Sequence, residues 1–381
     1  MEFGWSEDQQ LLGQSAVEFA RRELNADLLE LDRTSQFPHK AWTRCAEFGV
    51  QGMPIPERFG GQGADLVTTA LVLESLGYGG RDNGLLFSIN AHLWSCAVPI
   101  WKFGDDGQRD RYLPSLCDGS LIGVQAVTEA GSGSDGFAVS TMAVPDGDHY
   151  VLNGSKIFIT NAPIAGVLIV LARTGNERNI GELGAFIVER DTPGLIVSKP
   201  FEKLGLRTSP MGEVTFADCR VPASGLLGGP GAGMTVFNTT IEWERSFILA
   251  TALGTMRRQL DEAVSHASTH QRFGKSIGKN QSVANRIVDM RVRLDAGRLL
   301  LYHLAWLKDQ GKRTGLESAI VKLFLSESFV ESSMAAFETY GAQAYMAGTA
   351  QERDLRDSLA SRIYSGTSDI QRMIVARTLG L

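Results

Sequence analysis

Apolar residues at Leu11, Leu12, Ala16, Phe19 and Ala20 recur close to a 3.6-residue period behind a Ser6-Glu-Asp-Gln capping signal, and predict an N-terminal helix. Phe37-Pro-His and Pro54-Ile-Pro-Glu-Arg-Phe-Gly-Gly interrupt the pattern. Helical patterning returns over 68–76 and over 89–103. Between about Leu121 and Leu227 the texture changes. His149-Tyr-Val-Leu-Asn, Lys156-Ile-Phe-Ile-Thr, Val167-Leu-Ile-Val-Leu-Ala and Ala185-Phe-Ile-Val-Glu favour strands. Turn formers separate them at Pro145-Asp-Gly-Asp, Asn153-Gly-Ser and Asp191-Thr-Pro-Gly, which predicts a small antiparallel barrel or sandwich. After Gly228-Gly-Pro-Gly-Ala-Gly, long helical segments over 234–271, 281–308 and 316–340 suit a bundle. The chain therefore reads as α+β in three units: helical over 1–121, β-barrel-like over 122–228 and a helical bundle over 229–381. That order is not a Rossmann alternation and argues against a nicotinamide cofactor.

Composition narrows the class. With 381 residues the chain exceeds one ordinary core. A net charge of −6 argues against a general nucleic-acid binder, which needs clustered Lys and Arg. Cys45, Cys96, Cys117 and Cys219 show no metal-ligand spacing and read as reduced thiols of a cytoplasmic protein. The acidic start, Met1-Glu-Phe-Gly-Trp-Ser-Glu-Asp, lacks a secretory n-region. No apolar run reaches the ~18 residues of a membrane span, so no membrane or metal role is expected.

Candidate chemistry lies in ordered motifs. Val127-Thr-Glu-Ala-Gly-Ser-Gly-Ser-Asp135 combines glycines, which let backbone amides approach a ligand, with hydroxyl donors. Alone it is no more than a polar turn. It is followed by Lys156-Ile-Phe-Ile-Thr-Asn161, Leu204-Gly-Leu-Arg-Thr-Ser209, Phe216-Ala-Asp-Cys-Arg-Val-Pro222, Arg272-Phe-Gly-Lys-Ser-Ile with Gln281, and Arg362-Ile-Tyr-Ser-Gly-Thr-Ser-Asp-Ile-Gln-Arg372. In this order and spacing the motifs resemble the acyl-CoA dehydrogenase family along essentially the whole chain. The resemblance implies that family's fold, with a C-terminal four-helix bundle, together with non-covalent FAD and a homo-oligomer. It implies flavin contacts from Val127, Thr128, Thr160 and an aromatic wall at Phe158, with Gly133 and Ser134 along the acyl-thioester passage. Gly366 and Thr367 would bind the cofactor, and Phe273 and Gln281 would reach FAD from a neighbouring subunit. His270 replaces an arginine usual in the family, so Arg272 is the expected pyrophosphate contact. Gly341-Ala-Gln-Ala344 departs from a glycine-richer stretch, which weakens the expected close approach of backbone at Gly341.

The largest departure is Ser365, where many members carry the carboxylate base. A hydroxyl without an activating partner does not remove a carbon-bound proton near neutral pH. Glu244, in Ile241-Glu-Trp-Glu-Arg-Ser-Phe247, is the candidate base: Phe247 and Ile248 at i+3 and i+4 place it on an apolar face at the expected start of the first bundle helix. A helix-start carboxylate stabilised by the macrodipole is the plain alternative. Glu242 is expected to be solvated and paired with Arg245. A minority branch, including isovaleryl- and long-chain acyl-CoA dehydrogenases, has its base immediately before the arginine of this helix, and the Glu244–Ser365 combination matches it. Arg245 and Ser365 are then expected near substrate.

The Trp-Glu-Arg context, the Ser-Gly-Thr-Ser-Asp tail and Asp82-Asn-Gly-Leu-Leu-Phe-Ser-Ile-Asn-Ala-His-Leu-Trp94 resemble relatives that oxidise prolyl groups tethered to carrier proteins. His92 and Trp94 stand evenly between a core and a pocket role. Arg81, Arg109 and Arg111 are candidates for a basic rim that meets an acidic carrier. Three readings follow: dehydrogenation of a carrier-tethered aminoacyl group, an ordinary acyl-CoA dehydrogenase using Glu244, or a flavin-binding member without dehydrogenase activity. The implied electron acceptor is electron-transfer flavoprotein, or oxygen.

Overall fold

The computed structural model describes residues 4–175 and 180–381; the first three residues of the acidic start lie outside it. Ser6 caps the first helix as its motif predicts: its side chain accepts from Gln9 N, and Gln9 Oε1 returns to the Ser6 amide at 3.1 Å. Helices α1 (Glu7–Glu23), α2 (Leu28–Thr34) and α3 (His39–Glu47) lead into α4 (Leu66–Gly79), α5 (Asn83–His92), α6 (Val98–Phe103) and α7 (Asp106–Cys117). A π turn over Leu93–Ala97 joins α5 to α6. Pro99 lies at the start of α6. It has no N–H for the carbonyl four residues back, Ser95, and its ring crowds that carbonyl, so a regular α turn is disfavoured there.

The middle of the chain forms β1 (Gly123–Ala126), β2 (Met142–Asp146), β3 (His149–Thr160), β4 (Val167–Arg173), β5 (Leu183–Glu189), β6 (Leu195–Val197), β7 (Met211–Pro222) and β8 (Leu226–Leu227). They lie in the order β6-β7-β3-β2-β4-β5-β8, with β1 on β4. Among the described residues the path has two ends and does not close into a barrel. Nor is it wholly antiparallel, since β1 and β2 both run parallel to β4. β4 is buried along its whole length. Val167 and Ile169 face the core shared with the helices, while Leu168, Val170 and Ala172 face the core of the sheet itself.

The expected turn at Asn153-Gly-Ser is instead a bulge inside the twelve-residue β3, which slips register against β7 between Leu152 and Gly154 and again between Lys156 and Ile159. Asn153 is locked across the strands to Asp218 by bonds of 3.1 and 2.9 Å, so the chain kinks and continues.

The C-terminal unit holds α8 (Gly233–Phe247), α9 (Ala250–Thr269), a small hairpin β9 (Gln271–Arg272) and β10 (Lys275–Ser276), α10 (Gln281–Asp309), α11 (Gly315–Tyr340), α12 (Ala350–Leu359) and α13 (Ser368–Thr378). The single helix expected over 234–271 is broken at Ile248 and Leu249. Helix α4 docks on α9 through glycines: a Cβ on Gly77 would lie 1.8 Å from Thr251 O, and one on Gly254 1.9 Å from Glu74 O. No helix among the described residues is long and apolar enough to cross a membrane, and the same residues hold no cluster suited to a metal ion.

Candidate active site

Two groups of the expected residues are brought together, and a third stands apart. In the first, Val127 and Thr128 lie against β3. Ile157 N donates to Thr128 O at 2.9 Å, and Lys156 Nζ donates to Val127 O at 3.1 Å. The fully buried Lys156 also pairs with Glu129 at 2.7 Å. Burial opposes the charge on Glu129, but Lys156 and the hydroxyls of Ser140 and Thr141 outweigh it and hold the carboxyl down at about 2. Glu129 thereby pins the glycine-rich loop to the sheet, a role its motif did not reveal.

Past that anchor, β3 reaches Phe158 and Thr160. Phe158 sits in the second bulge at φ 60° with its ring 59% exposed, and Phe201 packs edge-on at 6.1 Å. A left-handed aromatic residue is strained and needs a reason. Gly133 and Ser134 are exposed, whereas Ser132 is buried and its hydroxyl has no partner. An open aromatic face, an unsatisfied hydroxyl and a glycine loop that bonds to β3 fit a flat, multiply hydrogen-bonding group such as a flavin.

The second group centres on Glu244, which lies in the last turn of α8 and not at the start of a helix. The macrodipole there is negative and does not favour a carboxylate, which removes the plain alternative. Its oxygens are held by Ser95 Oγ at 2.8 Å and by Ser365 Oγ. Arg245 Nε donates to Ser365 O at 3.1 Å, and Gln371 Nε2 to Ser365 O at 3.2 Å and Gly366 O at 2.9 Å. Ser365 and Gly366 both have positive φ, at 55° and 87°. Thr367 caps α13 by accepting from Ile370 N. Aromatic rings flank the carboxylate's helix: Trp94 stacks on Phe247 at 4.7 Å, and Trp243 follows at 6.1 Å. Behind it, Lys322 is fully buried and donates to Ser361 O at 2.9 Å. Burial, reinforced by Arg245, pulls this ammonium down to about 7.

The third group is remote. Phe273 is 98% exposed at φ 52°, on the β9–β10 hairpin. The Arg272 side chain bonds only to the neighbouring Gln271 O among the described contacts, and Gln281 is exposed. Gly341, at φ 61°, has open space where a Cβ would stand, so its backbone is approachable without the glycine-richer stretch. No hydrogen bond between described residues joins this group to Glu244.

Several expectations are corrected. Glu242 does not pair with Arg245 in solvent: it accepts from Lys308 Nζ and Thr314 Oγ1, both at 2.8 Å. Of the two roles left open for His92 and Trp94, the structure shows the core one, each being fully buried. His92 Nδ1 accepts from Gly123 N at 2.9 Å, which assigns the proton to Nε2 for its bond to Leu116 O at 3.0 Å. Trp94 Nε1 donates to Asn90 Oδ1 at 2.9 Å. The basic rim is neutralised, with Arg81 on Glu262, Arg109 on Asp106 and Arg111 on Glu189. Ser95 was not legible as a site residue. Its one signal is Pro99 four positions later in a helical run.

The chain matches the acyl-CoA dehydrogenase N-terminal domain over residues 6–120, the middle domain over 125–219 and the C-terminal domain over 231–380. It is 40% identical over 386 residues to the L-prolyl-(peptidyl-carrier protein) dehydrogenase of Serratia sp., covering 100% of this chain and 99% of that protein. The prolyl acyl carrier protein oxidase AnaB superposes with a TM-score of 0.98 at 44% identity, covering 99% of this chain and 100% of that one. PigA with FAD and proline superposes with a TM-score of 0.97 at 39% identity over all of both chains. The ordered motifs, the helix–sheet–helix architecture and these matches agree, and the chain belongs to the acyl-CoA dehydrogenase family.

Proposed function

We propose that this protein is an FAD-dependent dehydrogenase of a prolyl group carried as a thioester on the phosphopantetheine arm of a carrier protein. The observation that carries this reading is its likeness, over the full length of both chains, to prolyl-carrier enzymes in sequence and in fold. Val127, Thr128, Gly133, Phe158, Thr160, Gly366 and Thr367 would hold the flavin. FAD, when bound, would supply the acceptor for the hydride that leaves the β-carbon.

Glu244 removes the α-proton, so that a carbon–carbon double bond is left in the prolyl ring. Ser134, Arg245 and Ser365 line the path of the thioester. Arg272, Phe273, Gln281 and Gly341 would reach the cofactor of a second copy in a homo-oligomer, which would account for a phenylalanine left 98% exposed in one chain. Electron-transfer flavoprotein or oxygen takes the electrons onward. The reading places the enzyme in the cytoplasm, where its four buried thiols stay reduced.

Anaerobic mixing of the holoenzyme with L-prolyl-carrier protein and, separately, with a panel of acyl-CoA esters tests the proposal. Rapid bleaching of the flavin by the carrier-bound prolyl group alone is expected. Bleaching by a CoA ester in preference would move the enzyme to acyl-CoA oxidation, and bleaching by neither would remove dehydrogenation altogether.

A further inference from the structure

Glu244 stands where its own helix gives it no support, at the negative end of α8. What holds it comes from two segments far away in sequence. Ser95 Oγ donates to Oε2 at 2.8 Å across 149 residues, and Ser365 Oγ donates to Oε1 across 121 residues. Both serines are buried, at 5% and 8% exposure, so each is a directed donor and not a solvated hydroxyl. Neither sits in ordinary backbone. Ser95 lies in the π turn that precedes Pro99, and Ser365 has φ 55° with its carbonyl tied to Arg245 and Gln371. Irregular backbone maintained at this cost marks a local geometry that the surroundings enforce.

We propose that Ser95 and Ser365 are positioning residues for the Glu244 carboxylate, one hydroxyl on each oxygen. A glutamate has three side-chain torsions, and one donor leaves the carboxylate free to turn about the bond it makes. Two donors from opposite sides fix its plane. Each oxygen retains a second acceptor direction, so the group is oriented without losing its capacity to take a proton. The helical unit and the C-terminal segment thus both contribute to aiming the base. This inference rests on Glu244 as the base, and the test separates the two.

Three substitutions isolate the hydroxyls. Ser95→Ala removes one in a helical backbone. Ser365→Gly removes the other in a residue at ease with φ 55°. Ser95→Thr keeps a hydroxyl at the same place. Retention of the flavin spectrum checks that each variant is folded. Two readouts are taken with L-prolyl-carrier protein: the anaerobic rate of flavin reduction, and α-hydrogen exchange in D2O with the flavin already reduced. In the second, hydride transfer is blocked, and mass spectrometry reports proton removal and return alone.

Both rates are expected to fall about 10-fold in Ser95→Ala and in Ser365→Gly and about 10²-fold in the double variant, the scale of a misplaced reacting group. Carrier binding stays unchanged in Ser95→Ala, and Ser95→Thr keeps the parent rates. Parent-like rates in both single variants, a loss confined to carrier binding, or a Ser95→Thr as slow as Ser95→Ala would overturn the inference. Exchange that survives Glu244→Gln would remove the base assignment with it. Exchange lost in Glu244→Gln but kept in the serine variants would overturn the positioning role alone.

Discussion

At the scale of the residue, chemistry here is set by what side chains face across the fold. Glu129 and Lys156 show this as well as Glu244 does. The lysine has no exposed surface, and its 2.7 Å partner also takes the amides of Ser140 and Thr141 at 2.7 and 2.9 Å. Removing either partner strands a buried charge. Glu129→Gln and Lys156→Met are each expected to lower stability by about 3–5 kcal/mol, as for other broken buried pairs, and to weaken retention of the flavin held by the adjacent loop. The double variant should recover part of the lysine's share, because no unpaired ammonium remains, while one of the Ser140 and Thr141 amides faces the glutamine NH2 and still lacks an acceptor. Denaturant melts of the four proteins check this; a double variant no more stable than Glu129→Gln would mean that the pair is not what the loop depends on. At this scale the sequence was partly legible. The resemblance to the family marked Ser365 as standing at a position where many members carry a carboxylate and Glu244 as the candidate to replace it, and the structure bonds these two side chains to each other. The other partner of Glu244 and those of Glu242 and Arg81 could not be read in this way, because they come from elements 65 or more residues away.

At the scale of the element, periodicity located the helices and strands, and local irregularity decided what they do. The first-helix cap and the α4, α10 and α11 segments follow their apolar spacing. Three features escaped it. The α8–α9 break at Ile248–Leu249 falls among residues as apolar as the helices it separates, so no composition change marks it. The β3 bulge at Asn153-Gly-Ser carries turn residues but is bridged by an Asn153–Asp218 contact visible only once β7 is in place. The π turn hides within an unbroken helical pattern, although it aims Ser95. His92, at the end of α5, ties that helix to β1. Burial holds its imidazole at about 4, against an ordinary value of 6.5. The unfolded chain therefore binds a proton below about pH 6.5 that the folded protein refuses until about pH 4. His92 thus contributes stability above pH 6.5 that is lost progressively as the pH falls through this window. Melting temperatures of the parent and of His92→Gln, compared from pH 7 to pH 4, should converge as the pH drops. A constant difference between them would contradict the buried neutral ring.

At the scale of the whole molecule, the residues of the proposed site are drawn from all three units. The glycine-rich loop and the exposed Phe158 belong to the sheet, Ser95 to the N-terminal helices, and Glu244 and Ser365 to the C-terminal unit. The same three units are stitched nearby by Asn83 on Asp354 and Asp357 at 3.0 and 3.1 Å, and by Leu206 N on Asp357 at 2.5 Å. Order of units and family motifs made the fold legible from sequence. The open, mixed sheet was not, since parallel pairing of β1 and β2 with β4 leaves no local signature. A site built from separate units requires that they hold one geometry, and the α4–α9 glycine contact and this polar joint supply it.

We propose Glu244 as the base in a molecule whose usual base position holds a serine. The most direct test is the rate of flavin reduction when FAD-loaded Glu244→Gln is mixed anaerobically with L-prolyl-carrier protein. An unchanged resting flavin spectrum is expected, with a reduction rate lower by about 10²-fold or more, the scale of a lost general base. Reduction at the parent rate would contradict it.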